Sequence, residues 1–339
     1  MDSTNHSDKM KEIAVVILNW NGKDLLNTFL PDLLQHSGRA KIYVIDNAST
    51  DDSVAFLQTH FPQVTIIQNK KNTGYAGGYN IGLQQVNEPI YCLINSDVLV
   101  SDGWLNPVLD LFCKQPEIGI IQPKILDYKQ KDYFEYAGAG GGFIDAFGFP
   151  YCRGRIFDVI EKDEGQYDDT LPVFWASGAC LFVRKNIFEQ LGGFDEAFFA
   201  HQEEIDFCWR AYLQNIQVYY CGSSTVYHVG GATLSNSSPK KTFLNFRNSL
   251  LMLYKNRPQK GKFLTIFIRL CLDGIAGIRF LLLGQPKHCW AVVRSHFAFY
   301  GLIRQSKVSR NNRKYYTVRS IVWEYFVRRK RNYHQIKCP

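Results

Sequence analysis

Residues Ile13–Leu18 read IAVVIL, an unbroken apolar run that is long enough for a buried strand and too short for the core of a signal peptide. A strand that is apolar on both faces is typical of a parallel sheet with helices on either side. Helical spacing of leucines follows at Lys23–His36, and a second strand pattern, KIYVI, follows at Lys41–Ile45. The beginning of the chain therefore predicts a right-handed βαβ unit.

Strand and helix patterns keep alternating as far as Gln122. A helix is predicted at Asp51–His60, with Ser49 or Thr50 as its N-cap. Further strand patterns lie at Val64–Gln68, Ile90–Ile94 and Gly119–Gln122, and further helix patterns lie at Tyr75–Leu83 and Gly103–Lys114. This alternation predicts an α/β fold with a Rossmann-like, mostly parallel sheet flanked by helices. Ligands of such sheets bind beyond the carboxyl ends of the strands.

The second half of the chain is less regular. Residues 126–172 are rich in Gly and Tyr, which predicts loops or hairpins that cover the site. Glu203–Leu213 has the spacing of an amphipathic helix, and short strands are predicted at Gln217–Tyr220 and Thr225–His228. Beyond Lys240 the chain is helical, aromatic and basic, so we expect a C-terminal helical appendage.

Composition places the chain among ordinary globular proteins, with 46% hydrophobic and 21% charged residues in a length of 339. The nine cysteines are odd in number and form no CxxC pair, so we expect them to be reduced in the cytoplasm. Met1–Lys11 is polar and is expected to be disordered. The longest apolar region, Phe263–Leu283, contains three charged residues, which makes a membrane-spanning helix unfavourable. These residues are Arg269, Asp273 and Arg279.

A basic C-terminal segment indicates an anionic partner. Arg304–Lys337 contains many Lys and Arg and almost no acid, which fits nucleic acid or an anionic membrane surface. No nucleic-acid-binding motif is present, so nucleic acid is not expected. Phe263–Leu283 and Arg313–Arg331 could both lie in a membrane interface as amphipathic helices. The alternative is that they pack on the catalytic core or on another subunit.

Three acidic residues should converge on one crevice. Asp46, Asp51 and Asp97 each come just after a predicted strand. Asp97 could hold Mg²⁺ or Mn²⁺ that bridges a diphosphate, although an Asp that caps a turn explains it equally well. His228 follows another short strand. Alone it is best explained as a structural residue, but beside Asp97 it would complete a mixed His/carboxylate metal site.

A dense acidic group opens the helix predicted at Glu203. Glu203, Glu204 and Asp206 would stabilise the helix N-terminus through its dipole, without any active site. The other interpretation is that neighbouring carboxylates raise one another's pKa, so that one of them serves as a general base. Consecutive helix residues point about 100° apart, so only one of Glu203 and Glu204 can face an acceptor.

Motifs of other nucleotide-binding folds are missing from the sequence. After the first strand, Asn19–Gly22 reads NWNG and not GxGxxG, which argues against NAD binding. The sequence also lacks GxxxxGK[ST], so a P-loop is not expected, and it lacks the GxGTRxxP-like loop of a sugar nucleotidyltransferase.

Eight segments, taken in order over residues 12–256, resemble glycosyltransferase family 2 with its GT-A fold, and especially its bacterial rhamnosyltransferase-like branch. They are VVILNWNG (Val15–Gly22), VIDNASTDDS (Val44–Ser53), NTGYAGGYNIG (Asn72–Gly82), LINSDV (Leu93–Val98), SGACLFVRK (Ser177–Lys185), LGGFDEAFFAHQEEIDFCWR (Leu191–Arg210), VYHVGGAT (Val226–Thr233) and FLNFRNSLLMLYKN (Phe243–Asn256). The resemblance makes residues 12–256 the catalytic domain and residues 257–339 a basic, helical, membrane-associating region.

The resemblance implies an inverting, metal-dependent glycosyltransferase that uses Mg²⁺ or Mn²⁺. It would move a sugar from dTDP-rhamnose or a UDP-hexose to a hydroxyl of a saccharide or lipid-linked acceptor in cell-surface polysaccharide synthesis. The enzyme would then lie in the cytoplasm, peripheral at the inner face of the plasma membrane. A catalytically inactive carbohydrate- or nucleotide-binding homologue or scaffold is the alternative, and the presence of Asp97, Glu204 and His228 together counts against it.

The same resemblance assigns roles to residues. The nucleotide pocket would be formed by Asn19, Asp46, Asp51, Gly74, Asn80, Asn95 and Ser96. Asp97 and His228 would be the metal ligands, Glu204 the catalytic base with Glu203 as its rival, and Trp175, Ser177 and Asp195 the acceptor side. Two residues depart from the family pattern, because Asn95 replaces the first Asp of the DXD motif and Glu204 stands where the base is usually Asp.

Overall fold

In the computed structural model, which describes residues 12–230 and 238–337, the first part of the chain alternates strands and helices. The strands are β1 (Ile13–Asn19), β2 (Ala40–Asp46), β3 (Thr65–Gln68), β4 (Ile90–Ile94), β5 (Val98–Val100) and β6 (Ile118–Asp127). The helices are α1 (Lys23–His36), α2 (Ser53–His60), α3 (Gly74–Gly82) and α4 (Leu105–Lys114). The N-terminal segment predicted to be disordered, residues 1–11, lies outside the described residues.

Short strands and a helical C-terminal third follow. The strands are β7 (Gly142–Ile144), β8 (Pro150–Cys152), β9 (Arg155–Ile156), β10 (Val159–Ile160), β11 (Thr170–Pro172), β12 (Cys180–Arg184) and β13 (Gln217–His228). The helices are α5 (Lys185–Gln190), α6 (Glu203–Leu213), α7 (Pro239–Asn256), α8 (Lys262–Leu282), α9 (Pro286–Ile303), α10 (Ile321–Phe326) and α11 (Tyr333–Lys337).

The central sheet has nine strands in the order β11-β13-β6-β12-β4-β1-β2-β3, with β5 paired to β13. The strands β3, β2, β1 and β4 are parallel to one another. β12 lies antiparallel between β4 and β6, whereas β6 and β13 are again parallel. The predicted α/β fold with a Rossmann-like sheet and flanking helices is confirmed, and antiparallel strands extend its parallel half.

β1 is buried on both faces, as its apolar sequence predicts. Ala14 and Val16 belong to the apolar core on one side of the sheet, and Ile13, Val15 and Ile17 belong to the core on the other side. All five are at most 2% exposed. Successive side chains of a strand point to opposite faces, so an unbroken apolar run is needed when helices cover both.

The Gly-rich segment forms the antiparallel sheet β10-β9-β8-β7, which confirms the predicted hairpins. Gly142 begins β7 directly beside an indole ring, because a Cβ on Gly142 would lie 2.0 Å from Trp175. Two smaller predictions were wrong. α2 begins only at Ser53, because Ser49 and Thr50 hydrogen-bond to asparagines at the end of β1 and in the loop after it. The two short strands predicted around residues 217–228 are one strand, β13, with a register shift in the middle.

The C-terminal helices form two groups. α8 and α9 form a helical hairpin that packs on α7. α10 and α11 pack on the small sheet, where Ile321 and Tyr325 join a cluster with Tyr151 and Ile156. No helix in the described part of the chain combines the length and the apolar character that crossing a bilayer requires.

Candidate active site

The carboxyl edge of the parallel strands brings together several residues predicted for the nucleotide pocket. Asn19 Nδ2 donates to Asp46 Oδ1 at 3.2 Å, and both side chains are buried. Asp46 Oδ2 accepts from the Ser49 N–H at 3.0 Å. Ser96 faces the same edge, since its Oγ is 3.8 Å from where a Cβ on Gly22 would lie. Asn19 Oδ1 is buried without a hydrogen-bond partner among the described residues, so it can accept a hydrogen bond from a ligand.

Asp51 lies at the same edge but is exposed. Its Oδ1 accepts from the Ser53 N–H at 3.1 Å, and its Oδ2 accepts from the Lys23 N–H at 3.4 Å. Asp51 therefore ties the start of α2 to the start of α1. Asn21 supports the same loop, because its Oδ1 accepts from the Thr50 N–H at 2.7 Å. The sequence analysis did not single out Asn21.

Gly74 and Asn80 contact the segment that leads to α6. Gly74 has a φ of +74°, and a Cβ there would lie 2.3 Å from the Phe199 carbonyl oxygen, so only glycine fits. Asn80 Nδ2 donates to the Phe194 carbonyl at 2.8 Å, and its Oδ1 accepts from the Phe194 N–H at 2.9 Å. Because both ends of its amide are engaged, Asn80 holds this segment in place, and its role in nucleotide binding stays a prediction.

Asp97 and His228, the predicted metal ligands, lie side by side although they are far apart in the sequence. Asp97 Oδ1 is 3.2 Å from His228 Nε2, and both residues are buried. On the other side of the ring, His228 Nδ1 is 3.3 Å from Glu135 Oε1, an ion-pair distance without hydrogen-bond alignment. Burial lowers the pKa of His228, but the contacts with Asp97 and Glu135 outweigh it and raise that pKa to about 10.

The Asp97–His228 pair fits a divalent cation. Two ligand atoms bound side by side to Mg²⁺ at about 2.1 Å lie roughly 3 Å apart, close to the observed Oδ1–Nε2 separation of 3.2 Å. A carboxylate with a neutral imidazole suits Mg²⁺ or Mn²⁺, so an ion bound here would have to displace the proton that Asp97 and Glu135 stabilise on His228. Within residues 12–230 and 238–337, no group of three or more His, Cys, Asp or Glu side chains is arranged to hold a metal ion. An ion held by this pair would therefore take further oxygen ligands from a substrate or from water.

Glu203 and Glu204 begin α6 in different surroundings. Glu203 is buried, and its Oε2 has no hydrogen-bond partner in the described part of the chain. Burial, followed by the charge of Glu204, raises the pKa of Glu203 well above its usual value. Glu204 is half-buried, and burial raises its pKa to about 7. Of the two carboxyls, Glu204 can therefore exchange a proton with a molecule in the crevice near neutral pH.

Contacts around β12 place Glu204 in the same crevice as the predicted metal ligands. A Cβ on Gly178 would lie 3.8 Å from the Glu204 carboxyl carbon. The next residue, Ala179, accepts from the Asn95 N–H at 3.0 Å. Asn95 Nδ2 in turn lies 3.3 Å from His228 Nε2. The base candidate and the Asn95-Ser96-Asp97 motif thus border one crevice at the carboxyl edge of the sheet.

The three residues predicted for the acceptor side are engaged within the protein. Trp175 is buried, and its indole N–H donates to a carbonyl of β7 at 2.8 Å. Ser177 is buried and donates through Oγ to the Ala137 carbonyl at 2.5 Å. Asp195 forms an ion pair with Lys255 at 2.5 Å. These side chains contact other parts of the protein, and their role on the acceptor side stays a prediction.

A strained segment precedes the catalytic helix and is held from α7. Phe199, His201 and Gln202 have φ angles of 63°, 70° and 74°, a region that costs a residue with a Cβ about 1–2 kcal/mol. Asn248 Nδ2 donates to three backbone carbonyls between residues 198 and 201, at 2.7 to 2.9 Å. Arg247 Nη2 donates to the Ala197 carbonyl at 3.0 Å and, together with Asn248, to the Phe198 carbonyl at 2.9 Å. We call this set of contacts the α7 clamp.

Sequence reasoning missed Glu135 and the α7 clamp for different reasons. Glu135 lies in the irregular Gly- and Tyr-rich stretch, where no spacing relates it to His228. Arg247 and Asn248 lie in FLNFRNSLLMLYKN, a segment to whose residues the family resemblance assigns no role. The sequence did offer one signal for the α7 clamp, an asparagine at an apolar position of the helix. Asn248 is completely buried there, and a buried amide needs hydrogen-bond partners.

The chain matches the family model for glycosyl transferase family 2 over residues 14–192, more than half of its length. The low-salt glycan biosynthesis hexosyltransferase Agl10 of Haloferax volcanii is 24% identical over 247 residues, which are 71% of this chain and 75% of that protein. The N-acetylglucosaminyl-diphospho-decaprenol L-rhamnosyltransferase of Mycobacterium tuberculosis is 27% identical over 213 residues, 57% of this chain and 68% of that protein.

Solved structures share the fold. GalNAc-T7 with UDP, GalNAc and Mn²⁺ superposes with a TM-score of 0.54 at 15% identity, over 73% of this chain and 48% of that one. The mannosyltransferase PcManGT of Pyrobaculum calidifontis, with GDP-Man and Mn²⁺, superposes with a TM-score of 0.51 at 12% identity, over 85% of this chain and 87% of that one. At these identities the likeness concerns the fold alone.

Proposed function

Because the chain belongs to glycosyl transferase family 2, we propose that it moves a sugar from a nucleotide diphosphate-sugar to an acceptor hydroxyl with inversion at the anomeric carbon. The proposed donor is dTDP-rhamnose or a UDP-hexose, and the proposed acceptor is a saccharide or lipid-linked saccharide in cell-surface polysaccharide synthesis. The names of the two relatives above, a glycan biosynthesis hexosyltransferase and a diphospho-decaprenol-linked rhamnosyltransferase, support this choice.

One observation carries the proposal. Glu204, a half-buried carboxyl with a pKa near 7, borders the same crevice as the buried Asp97–His228 pair. We assign the reaction to residues 12–256. Residues 257–339 are proposed to hold the enzyme, as a peripheral protein, at an anionic membrane surface on the cytoplasmic side.

In the proposed reaction Glu204 is the general base. It takes the proton of the acceptor hydroxyl as the hydroxyl oxygen forms a bond to the anomeric carbon. The bond between that carbon and the diphosphate oxygen breaks in the same step, and its electron pair leaves with the diphosphate. A single displacement inverts the configuration. Burial and the charge of Glu204 disfavour a second negative charge on Glu203 beside the base.

Asn19 and Asp46 are proposed to bind the nucleoside, through the free Asn19 oxygen and the buried Asp46 carboxylate. Asp97 and His228 would hold Mg²⁺ or Mn²⁺, and a bound ion would stabilise the negative charge that develops on the diphosphate. The crystal structures of GalNAc-T7 and PcManGT contain Mn²⁺, which supports a divalent ion in this fold. Glu135 lies on the far side of the His228 ring, where its carboxylate faces Nδ1 at 3.3 Å.

Binding of the donor can be tested by thermal unfolding with a panel of nucleoside diphosphates, each with and without Mg²⁺ or Mn²⁺. A ligand at a hundredfold excess over its Kd stabilises the folded state by about 2.7 kcal/mol, so the Tm should rise for the matching nucleotide. We expect the rise to require the metal and to be lost in Asp97→Ala. If no nucleotide shifts the Tm, an inactive homologue or a scaffold becomes the better assignment.

The base is tested by Glu204→Gln, which keeps the shape of the side chain and removes its basicity. Transfer should fall about 10²- to 10⁴-fold, while the nucleotide-dependent rise in Tm persists. Glu203→Gln is the matched control and should retain most of the activity, because burial and the charge of Glu204 disfavour the ionised form of Glu203. Near-normal turnover of Glu204→Gln would refute the assignment, and loss of activity only in the control would make Glu203 the base.

A further inference from the structure

The outward face of the α8–α9 hairpin is apolar along its whole length. On α8 the exposed residues are Phe263, Leu264, Phe267, Ile275, Ile278, Leu281 and Leu282, and Leu283 follows the helix. On α9 they are Trp290, Val293, Phe297 and Tyr300. Phe263 and Leu282, near the two ends of α8, are each 83% exposed. We call these residues the docking face. At about 1.5 Å per residue, α8 alone extends this face over roughly 31 Å.

Two charged residues in the middle of α8 point away from this face. Arg269 and Asp273 are buried on the packed side of the helix, with Arg269 Nε 2.8 Å from Asp273 Oδ1. Arg269 Nη1 donates to a carbonyl of the β7–β8 loop at 3.1 Å. The outer side of α8 carries no charged residue between Phe263 and Ile278. A monomer in water rarely exposes so large an apolar surface, so this one indicates a partner.

The distribution of charge favours a bilayer over a second copy of the chain. Residues 257–339 contain 18 Lys and Arg against two acidic residues, whereas residues 1–256 contain 21 Lys and Arg against 29 acidic residues. Arg279, Lys287 and Arg294 are exposed on the hairpin that carries the docking face. Two copies joined through this face would bring two strongly positive surfaces together, whereas anionic lipid headgroups would neutralise them.

The tip of the hairpin lies beside the catalytic crevice. His288 Nδ1 is 2.8 Å from Thr242 Oγ1 in the first turns of α7. Lys240, in the same turn of α7, lies 5.6 Å from the ring of Phe199, in the strained segment before α6. Leu281–Leu283 and Trp290 are therefore at the active-site end of the molecule. A surface that receives this tip is also adjacent to the crevice.

The other segment predicted to meet a membrane, Arg313–Arg331, is largely packed. Tyr315 lies 4.5 Å from the ring of Trp209, and Ile321 and Tyr325 are buried against the small sheet. Only a short patch around Trp323 and Phe326 is exposed on α10. Substitutions in this patch therefore provide the control for substitutions in the docking face.

We infer that the docking face lies on a bilayer that contains anionic lipids, with Leu281–Leu283 and Trp290 at the boundary between headgroups and acyl chains. This orientation presents the crevice to saccharides linked to lipids in the same bilayer. The inference deepens the membrane part of the proposed function and rests on it. Exposed apolar side chains flanked by Lys and Arg are the features by which amphipathic helices bind such interfaces.

Sedimentation of the full chain with vesicles tests the inference. Vesicles of phosphatidylcholine alone are compared with vesicles that also contain phosphatidylglycerol. The variant Phe263→Glu/Leu282→Glu should bind the anionic vesicles at least about tenfold more weakly than the natural chain, because burial of one large apolar side chain contributes about 1.5–3 kcal/mol. The control variant Trp323→Glu/Phe326→Glu should bind like the natural chain.

Three outcomes would overturn the inference. The first is equal vesicle binding by the docking-face variant and the natural chain, and the second is loss of binding in the α10 variant alone. The third is a dimer of the natural chain, without vesicles, that becomes a monomer in the docking-face variant, since the face would then be a subunit interface. The nucleotide-dependent rise in Tm is measured in every variant. If the rise in Tm persists in a variant that has lost vesicle binding, the fold and the donor site of that variant are intact. If the rise is missing in the natural chain, the transferase proposal fails independently of the membrane inference.

Discussion

Glu204 has a half-buried carboxyl whose pKa burial raises to about 7, and this sets the pH dependence of the proposed reaction. A general base works only when it is ionised. We therefore expect kcat/KM to be level above pH of about 7 and to fall about tenfold per pH unit below it, as the base becomes protonated. The pH–rate profile measures this directly. A profile that stays level down to pH of about 5 would mean that an ordinary carboxylate, or another group, is the base.

Asn248 acts on the reaction only through the segment before α6, so its replacement should separate catalysis from donor binding. Asn248→Ala removes all three hydrogen bonds to the strained segment. Since residues with positive φ relax once they are released, Glu204 should lose its position and kcat should fall at least about tenfold. Isothermal titration should find the Kd for the nucleoside diphosphate within about twofold of the natural value.

Thr242→Ala is the control for the α7 clamp, because Thr242 lies on the same helix but hydrogen-bonds to His288. It should leave kcat nearly unchanged. Parallel losses of kcat and of nucleotide affinity in Asn248→Ala would mean that the residue supports the whole fold and does not specifically position the base.

Sequence reasoning identified the site residues that lie at the ends of neighbouring strands. Asp46 and Asp97 were predictable because parallel strands end at one edge, whereas the family resemblance supplied Asn19 and the metal-ligand role of Asp97 and His228. Glu135 was not predictable, because it reaches His228 from an irregular loop whose path no periodic pattern encodes.

Among the elements, α8 contains a buried ion pair, between Arg269 and Asp273 one turn apart, on the side that packs against the rest of the protein. Replacing Asp273 by Leu would leave the buried Arg269 cation without its carboxylate, which typically costs about 3–5 kcal/mol of the free energy of unfolding. Urea unfolding should detect the loss. Glu12→Leu, which breaks the exposed pair with Arg39, is the control and should cost less than about 1 kcal/mol. Equal effects of the two replacements would show that the buried pair contributes no more than a surface pair.

The elements themselves were largely predictable, whereas their directions in the sheet were not. The bounds of α1 and α6 match the prediction. Amphipathic spacing marks both ends of α1, which buries one face. β12 is apolar on both faces and would have the same pattern in either direction, so its antiparallel place between β4 and β6 depends on the path of the connecting chain. The predicted N-cap of α2 was wrong because the hydroxyls of Ser49 and Thr50 accept hydrogen bonds from asparagine side chains across the crevice edge.

In the whole molecule, the apolar core continues beyond residue 256, where the region proposed to carry the reaction ends. Tyr315 packs on Trp209, and α10 and α11 complete a cluster with the small sheet. We therefore expect a chain that ends at Asn256 to bind a hydrophobic dye and to lack a cooperative thermal transition, as judged by calorimetry. A sharp transition together with a nucleotide-dependent shift would mean that residues 12–256 fold independently.

The opposite net charges of the C-terminal helices and of the preceding 256 residues make the molecule an electric dipole. In the field of a negative surface, a dipole experiences a torque before it makes contact, and the C-terminal helices are turned towards the source of the field. The hairpin tip and the neighbouring crevice would then face the negative surface at first contact, so that a larger fraction of collisions leads to binding. Such guidance reaches about one Debye length, roughly 8 Å at physiological ionic strength, and the frequency of productive arrivals should therefore decrease as salt is added.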